Sequence, residues 1–65
     1  MQIILNGEST DVANVGTVND LVRELKLKGR LAVEINRQIV PRSLFHSQKI
    51  KPGDEIEIVH AIGGG

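Results

Sequence analysis

The sequence predicts an α+β fold, one mixed sheet with a single main helix on one face. Three observations predict it. The chain has 65 residues, enough for one small domain. The period of its apolar residues changes from two to 3.6 and back within that length. The helical stretch follows a hairpin and precedes further strands, so the helix has a sheet to lie across.

Met1 to Leu5 reads as a strand with Met1, Ile3 and Leu5 on one face. Asn6-Gly7 follows, the dipeptide that best tolerates the positive φ values of a type I′ hairpin turn. The next strand, Glu8 to Ala13, is apolar only at Val12 and Ala13 and belongs at a sheet edge. Val18, Leu21, Val22 and Leu25 then recur at i, i+3, i+4 and i+7, one stripe of a helix. Thr17 stands at the N-cap position, with Asp20 as the acid of a capping box. Lys26 and Lys28 fall in the last turn, and Gly29 suits the left-handed C′ position.

Leu31, Val33 and Ile35 alternate with Ala32, Glu34 and Asn36, a strand with one buried face. Asn36-Arg37 turns the chain into a short strand, Gln38 to Val40, which Pro41 closes because proline cannot donate to a ladder. Ser43 to Gln48 reads as a 3₁₀ turn that places Leu44 and Phe45 against the core. Pro52-Gly53-Asp54 is a turn, and Glu55 to His60 is the last strand, with Ile56 and Ile58 inward. The short first hairpin and a right-handed helical crossover leave the first and last strands adjacent and parallel, as in a β-grasp. Residues 1–60 form this domain, and residues 61–65 a flexible C-terminal glycine tail.

Composition narrows the function. Eight basic and eight acidic side chains cancel, which argues against a nucleic-acid partner. No apolar run reaches the length of a membrane span, and the N-terminus lacks the pattern of a signal peptide, so a cytoplasmic protein with no membrane partner is expected. Without cysteine there is no disulfide, thiol nucleophile or Cys-based metal site. His46 and His60 lie in different elements, no HExxH or P-loop pattern is present, and Glu55 and Glu57 read as a solvated strand face. A domain this small leaves little room for a pocket of ~300 Å³. The expectation is a protein that is not an enzyme and holds no metal and no bound cofactor.

The C-terminus carries the chemistry instead. Gly63, Gly64 and Gly65 bring no side chain to a core, but they form a strip of small cross-section that a narrow channel can admit. Residues 62 to 65 reach roughly 13 Å when extended, at about 3.3 Å each. That is enough to carry the terminal carboxylate into another protein's active site. A carboxylate is a poor electrophile, so a partner must first activate it, most simply as an acyl-adenylate.

Ala32-Val33-Glu34-Ile35-Asn36, Ile39-Val40-Pro41-Arg42, Gly53-Asp54-Glu55-Ile56-Glu57-Ile58 and the terminal Ile62-Gly63-Gly64-Gly65 together resemble the ThiS family, the sulfur carriers of thiamine biosynthesis. The likeness runs over essentially the whole chain. It implies a ubiquitin-like β-grasp in which an E1-like adenylyltransferase (ThiF), using ATP and Mg²⁺, activates the C-terminal glycine. Sulfur from a cysteine-desulfurase route then makes a thiocarboxylate, and thiazole synthase (ThiG) takes that sulfur to build the thiazole ring. Carried over to this chain, Gly65 bears the adenylate and then the sulfur, Gly64 provides the slim approach, and Gly63 is an additional glycine before that pair.

Other carriers share such an ending. The small subunit of molybdopterin synthase is one, although the short chain and the Ile39-Val40-Pro41-Arg42 segment fit the thiamine carrier better. A carrier for another thiolation pathway, a ubiquitin-like protein modifier joined through Gly65 to a lysine, and a passive interaction module are the remaining readings. Strand alternation also places Ile4 and Val59 on the sheet face away from the helix. With Ala61 and Ile62 they are expected to form an apolar partner interface near the tail.

Overall fold

Two asparagine-led turns set the strand pairing. Asn6 and Gly7 have φ of 49° and 84°, and Asn36 and Arg37 have φ of 50° and 71°. Both pairs have the consecutive positive values of a type I′ turn, whose twist matches that of the strands it joins. In the computed structural model, which describes residues 1–61, the first turn joins β1 (Gln2–Leu5) to β2 (Glu8–Asp11). The second joins β3 (Leu31–Ile35) to β4 (Gln38–Val40). Between the hairpins runs α1 (Val18–Glu24), and after them come a 3₁₀ turn at Arg42–Leu44 and the final strand β5 (Glu55–His60). Ile62 to Gly65 lie outside the described residues, and with them most of the expected tail.

Among the described residues the sheet has the order β2-β1-β5-β3-β4. β5 runs parallel to β1 and antiparallel to β3, so the last strand occupies the middle of the sheet. This is the mixed sheet with one main helix that the sequence predicts. One face of the sheet and the helix enclose Ile3, Val18, Leu21, Val33 and Ile56, all essentially inaccessible to water. Val12, Ile35, Val40, Phe45, Ile50 and Ile58 complete the buried cluster.

The helix is short, and its start is fully bonded. Thr17 Oγ1 accepts from the Asp20 amide at 3.2 Å, while Asp20 Oδ2 accepts from the amides of Gly16 at 3.0 Å and Thr17 at 3.2 Å. This is the capping box expected from the sequence. The amides of Val18 and Asn19 donate to Gln48 O and Phe45 O, both at 3.0 Å. The segment after β4 therefore satisfies the first helical N–H groups, which have no partner within the helix.

These contacts fix the charge state of Asp20. The Gly16 amide, then the Thr17 amide and hydroxyl and the Arg23 guanidinium, lower its pKa, against a smaller opposing effect of burial. A carboxylate with a depressed pKa in the folded state stabilises the fold above its unfolded pKa, and that contribution fades as pH falls through the folded value. Asp20→Asn is expected to lower the melting temperature at neutral pH, with the deficit shrinking as pH is taken down through and below the ordinary aspartate range. A deficit that stayed constant with pH, followed by circular dichroism, would contradict this role.

The helix ends earlier than its apolar stripe suggests. The left-handed C′ position is taken by Lys26, with φ of 57°, not by Gly29. The Lys26 amide donates to Arg23 O at 3.0 Å and the Leu27 amide to Val22 O at 3.1 Å, the paired bonds of a Schellman motif. Its apolar partners Val22 and Leu27 both pack against the core. Leu27 as the closing apolar residue explains why the stop falls before Gly29, which instead has φ of 89° in the connection to β3.

Two other boundaries differ. β2 ends at Asp11, and beyond it Val12 is buried while its amide donates to Met1 O at 2.8 Å and its carbonyl accepts from the Met1 amine at 2.7 Å. The 3₁₀ turn begins at Arg42 and places Phe45 in the core, but Leu44 is 47% exposed. In so short a turn the inward position falls to only one of two adjacent side chains.

Candidate functional site

The root of the C-terminal segment is held on two sides. β5 pairs with β3 from Leu31↔His60 to Ile35↔Ile56, and just beyond it the Ala61 amide donates to Arg30 O at 3.0 Å. His60 Nε2 lies 3.1 Å from Lys28 O. A carbonyl can only accept, so in this contact Nε2 carries the proton. The last described residues thus leave the sheet beside the Lys28–Arg30 connection. Toward its start β5 is held by both turn asparagines. The Ile58 amide donates to Asn6 Oδ1 at 2.9 Å, and Asn6 Nδ2 donates to Ile58 O at 3.2 Å. On the other side, the Glu55 amide donates to Asn36 Oδ1 at 3.0 Å and the Asn36 amide to Glu55 O at 2.7 Å.

Each side chain expected at a partner interface can be placed, apart from Ile62. Val59 is 56% exposed on the sheet face away from the helix, and Ala61 is exposed at the end of β5. Ile4 is half-buried and stands opposite Glu55, four positions before Val59. At about 3.3 Å per strand residue this separates Ile4 from Val59 by roughly 13 Å along the sheet, with Glu57 between. The structure therefore brings Val59 together not with Ile4 but with Ala32, its cross-strand partner, and with Ile39. Ile39 is 78% exposed. The period-two pattern puts Ala32 and Ile39 on this face, but only the β3–β4 and β3–β5 registers show that they adjoin Val59. Gly63, Gly64 and Gly65 fall outside the described residues with Ile62.

Internal catalysis finds little material among the described residues. His46 and His60 are exposed and lie in separate elements, and no group of three or more histidine or carboxylate side chains could hold a metal ion. A groove of about 320 Å³ runs between Asn19, Val22, Leu27, Leu31 and Phe45. This is more room than the chain length suggests, because the early helix stop and the 3₁₀ turn leave a gap between them. Its charged groups are Lys28 and Arg42, with no acid, histidine or nucleophile to work against them. No described helix is long and apolar enough to cross a membrane.

Comparison with known proteins gives consistent results. The family model described as "ThiS family" matches residues 3–65. The sulfur carrier protein ThiS of Escherichia coli is 35% identical over the full length of both chains. A thiazole synthase of Paramagnetospirillum magneticum is 41% identical across all of this chain, but the chain spans only 20% of that protein's length. The crystal structure of the thiamine biosynthesis protein ThiS from Geobacter metallireducens superposes with a TM-score of 0.86 at 29% identity, each chain covered completely. That fold is the ubiquitin-like β-grasp.

Proposed function

The chain belongs to the ThiS family, the sulfur carriers of thiamine biosynthesis, and from that premise we propose that the carboxylate of Gly65 is its working group. An E1-like adenylyltransferase joins this carboxylate to the α-phosphate of ATP with loss of pyrophosphate, the Mg²⁺ and nucleotide belonging to that enzyme. A cysteine-desulfurase route delivers its sulfur as a persulfide, from which a thiol reductant, itself becoming a disulfide, releases sulfide, and that sulfide then attacks the acyl carbon. The C–S bond forms, the C–O bond to AMP breaks, and the chain ends in a thiocarboxylate. Thiazole synthase takes the sulfur from there.

The observation that carries this reading is the end-to-end match to a protein named as a sulfur carrier, in a chain whose final residues are Gly63, Gly64 and Gly65. The thiazole synthase that contains a similar stretch within its own chain supports the synthase as the recipient. Covalent union of carrier and acceptor raises their effective concentration as docking does between separate chains. Ala61 and Ile62 lead into the channel of the partner, with Gly63 and Gly64 offering no side chain to obstruct it. The fold supplies the handle, and Val59 and Ile4 lie on the sheet face offered to the partner.

The test is intact mass spectrometry after incubation with the adenylyltransferase, ATP, Mg²⁺ and a sulfur source. The expected result is a shift matching replacement of one oxygen by sulfur, absent from a variant lacking Gly65. A chain that remained unmodified under these conditions would overturn the proposal. An isopeptide adduct to lysine would favour a protein modifier in its place.

A further inference from the structure

β5 ends on two bonds of different kinds to one short connection. Pairing with β3 runs as far as Leu31↔His60, and the Ala61 amide adds one bond beyond it, to Arg30 O at 3.0 Å. His60 is the last residue of β5 and shares the sheet face of Leu31, its cross-strand partner, which packs against the core. On that side its ring reaches past Arg30, and Nε2 donates to Lys28 O at 3.1 Å. Two carbonyls of the Lys28–Arg30 connection are thus held by consecutive residues, one through a side chain and one through the backbone.

The connection is suited to serve as an anchor. Leu27 before it and Leu31 after it both pack against the core, and the Leu27 amide is bonded back to Val22 O. Between the two accepting carbonyls stands Gly29, with φ of 89°. A Cβ added there would meet nothing within 4 Å, so glycine is needed for the backbone turn and not for space. That turn takes the connection out of the extended conformation a ladder requires. A ladder continued at the register of Leu31↔His60 would set Lys28 opposite Gly63. The histidine ring therefore uses, from within β5, a carbonyl that a longer ladder would have offered to the glycines.

We propose that His60 is a positioning residue for the reaction at Gly65. With Ala61 it forms a two-point clamp on the Lys28–Arg30 connection and sets the direction in which the last four residues leave the domain. A single bond is a pivot about which the following chain swings, whereas two bonds to separate carbonyls fix an axis. The four residues reach only about 13 Å, so a swing at their root is carried on to the carboxylate. An ordered root lowers the conformational entropy lost when an activating enzyme takes up the chain end. The proposal rests on the reading of Gly65 as the working group.

The experiment compares the parent with His60→Ala, His60→Gln and, as a control, His46→Ala, since His46 is exposed in a separate element. Glutamine keeps a side-chain N–H donor that alanine lacks. Exchange of the Ala61 amide is followed by NMR and unfolding by urea, each on the isolated chain. Adenylation by the adenylyltransferase of the same organism is followed as ATP–pyrophosphate exchange. His60→Ala is expected to speed Ala61 exchange and to raise the KM for the carrier, each about three- to tenfold, the worth of one hydrogen bond. Its kcat and unfolding midpoint should stay near the parent's, as when binding alone is weakened. His60→Gln should return exchange and KM toward the parent, and His46→Ala should change neither. Parent-like exchange in His60→Ala, or no recovery in His60→Gln, would overturn the clamp and leave the carrier reading standing. Faster exchange with an unchanged KM would make the bond merely structural and overturn the positioning role. A parent that is never adenylated, while Ala61 exchange responds as expected, would overturn the carrier reading and the clamp's part in it.

Discussion

Replacing Leu21 by alanine is expected to leave the domain barely folded at 25 °C. Leu21 is fully buried at the centre of α1, where it packs into the cluster formed by the inner face of the sheet. Removing such a side chain costs about 2–5 kcal/mol, because a cavity remains where the surroundings cannot collapse. A domain of this length has about 3–10 kcal/mol in total, taking roughly 0.05–0.15 kcal/mol per residue. One substitution therefore removes a large part of the whole. The comparison variant is Val22→Ala, next in sequence but only half-buried at the helix edge. Urea unfolding should show a near-complete loss of the folded baseline for Leu21→Ala and a modest shift of midpoint for Val22→Ala. Similar shifts in both would mean that helix–sheet packing is not the main source of stability.

Asn6 is expected to cost nearly as much although it is exposed. Its side chain stands in for a peptide unit beside β5, giving and receiving one hydrogen bond with Ile58 where β1 has already turned away. Alanine there loses both bonds, leaving part-buried groups of Ile58 without their partner, at about 1–3 kcal/mol. It must also adopt φ of 49°, which costs a residue with a Cβ about 1–2 kcal/mol more. Glycine accepts that φ freely and so separates the two contributions. Asn6→Ala should lose about 2–4 kcal/mol in urea unfolding, with Asn6→Gly between it and the parent. If Asn6→Gly matched the parent, the bridge to Ile58 would contribute nothing.

That residue also shows where the sequence is legible and where it is not. Asn6-Gly7 announces its turn through local backbone preference, and the turn is found. The pairing of Asn6 with a residue 52 positions away leaves no local trace, because an asparagine that serves only the turn has the same letter. Thr17 and Asp20 were readable since a capping box is closed within four residues. The helix stop was misplaced because glycine at 29 is the stronger signal, whereas apolar closure by Leu27 onto Val22 favours the turn at Lys26. Leu44 reads as core by composition and is exposed by geometry. Ile50, buried in the structure, sits between lysines in a segment without periodicity, so no pattern singles it out.

The candidate site divides in the same way. Alternation assigned Ile4 and Val59 to the outer face of the sheet, and both are there. Their distance from each other, and the closeness of Val59 to Ala32 and Ile39, depend on register between strands far apart in the chain. Glu55 and Glu57 are likewise readable as a solvated face from the sequence alone. Only the pairing of Glu57 with Glu34 on β3 makes that face a concentration of charge.

The position of β5 has a consequence for how the carrier comes into being. It is the last strand in order and the central one in space, bonded on one side to the first hairpin and on the other to the second. Until it is in place the two hairpins share no ladder, so neither half of the polypeptide can assemble its part of the sheet and wait for the other. Assembly is correspondingly non-local and all-or-none, of the kind in which long loops close before native contacts reward them. The amides of Ile56 and Ile58 on this central strand are expected to exchange with solvent only when the entire domain opens. A partner that reads side chains on β5 thus distinguishes a completely folded carrier from an incomplete one without any separate checkpoint.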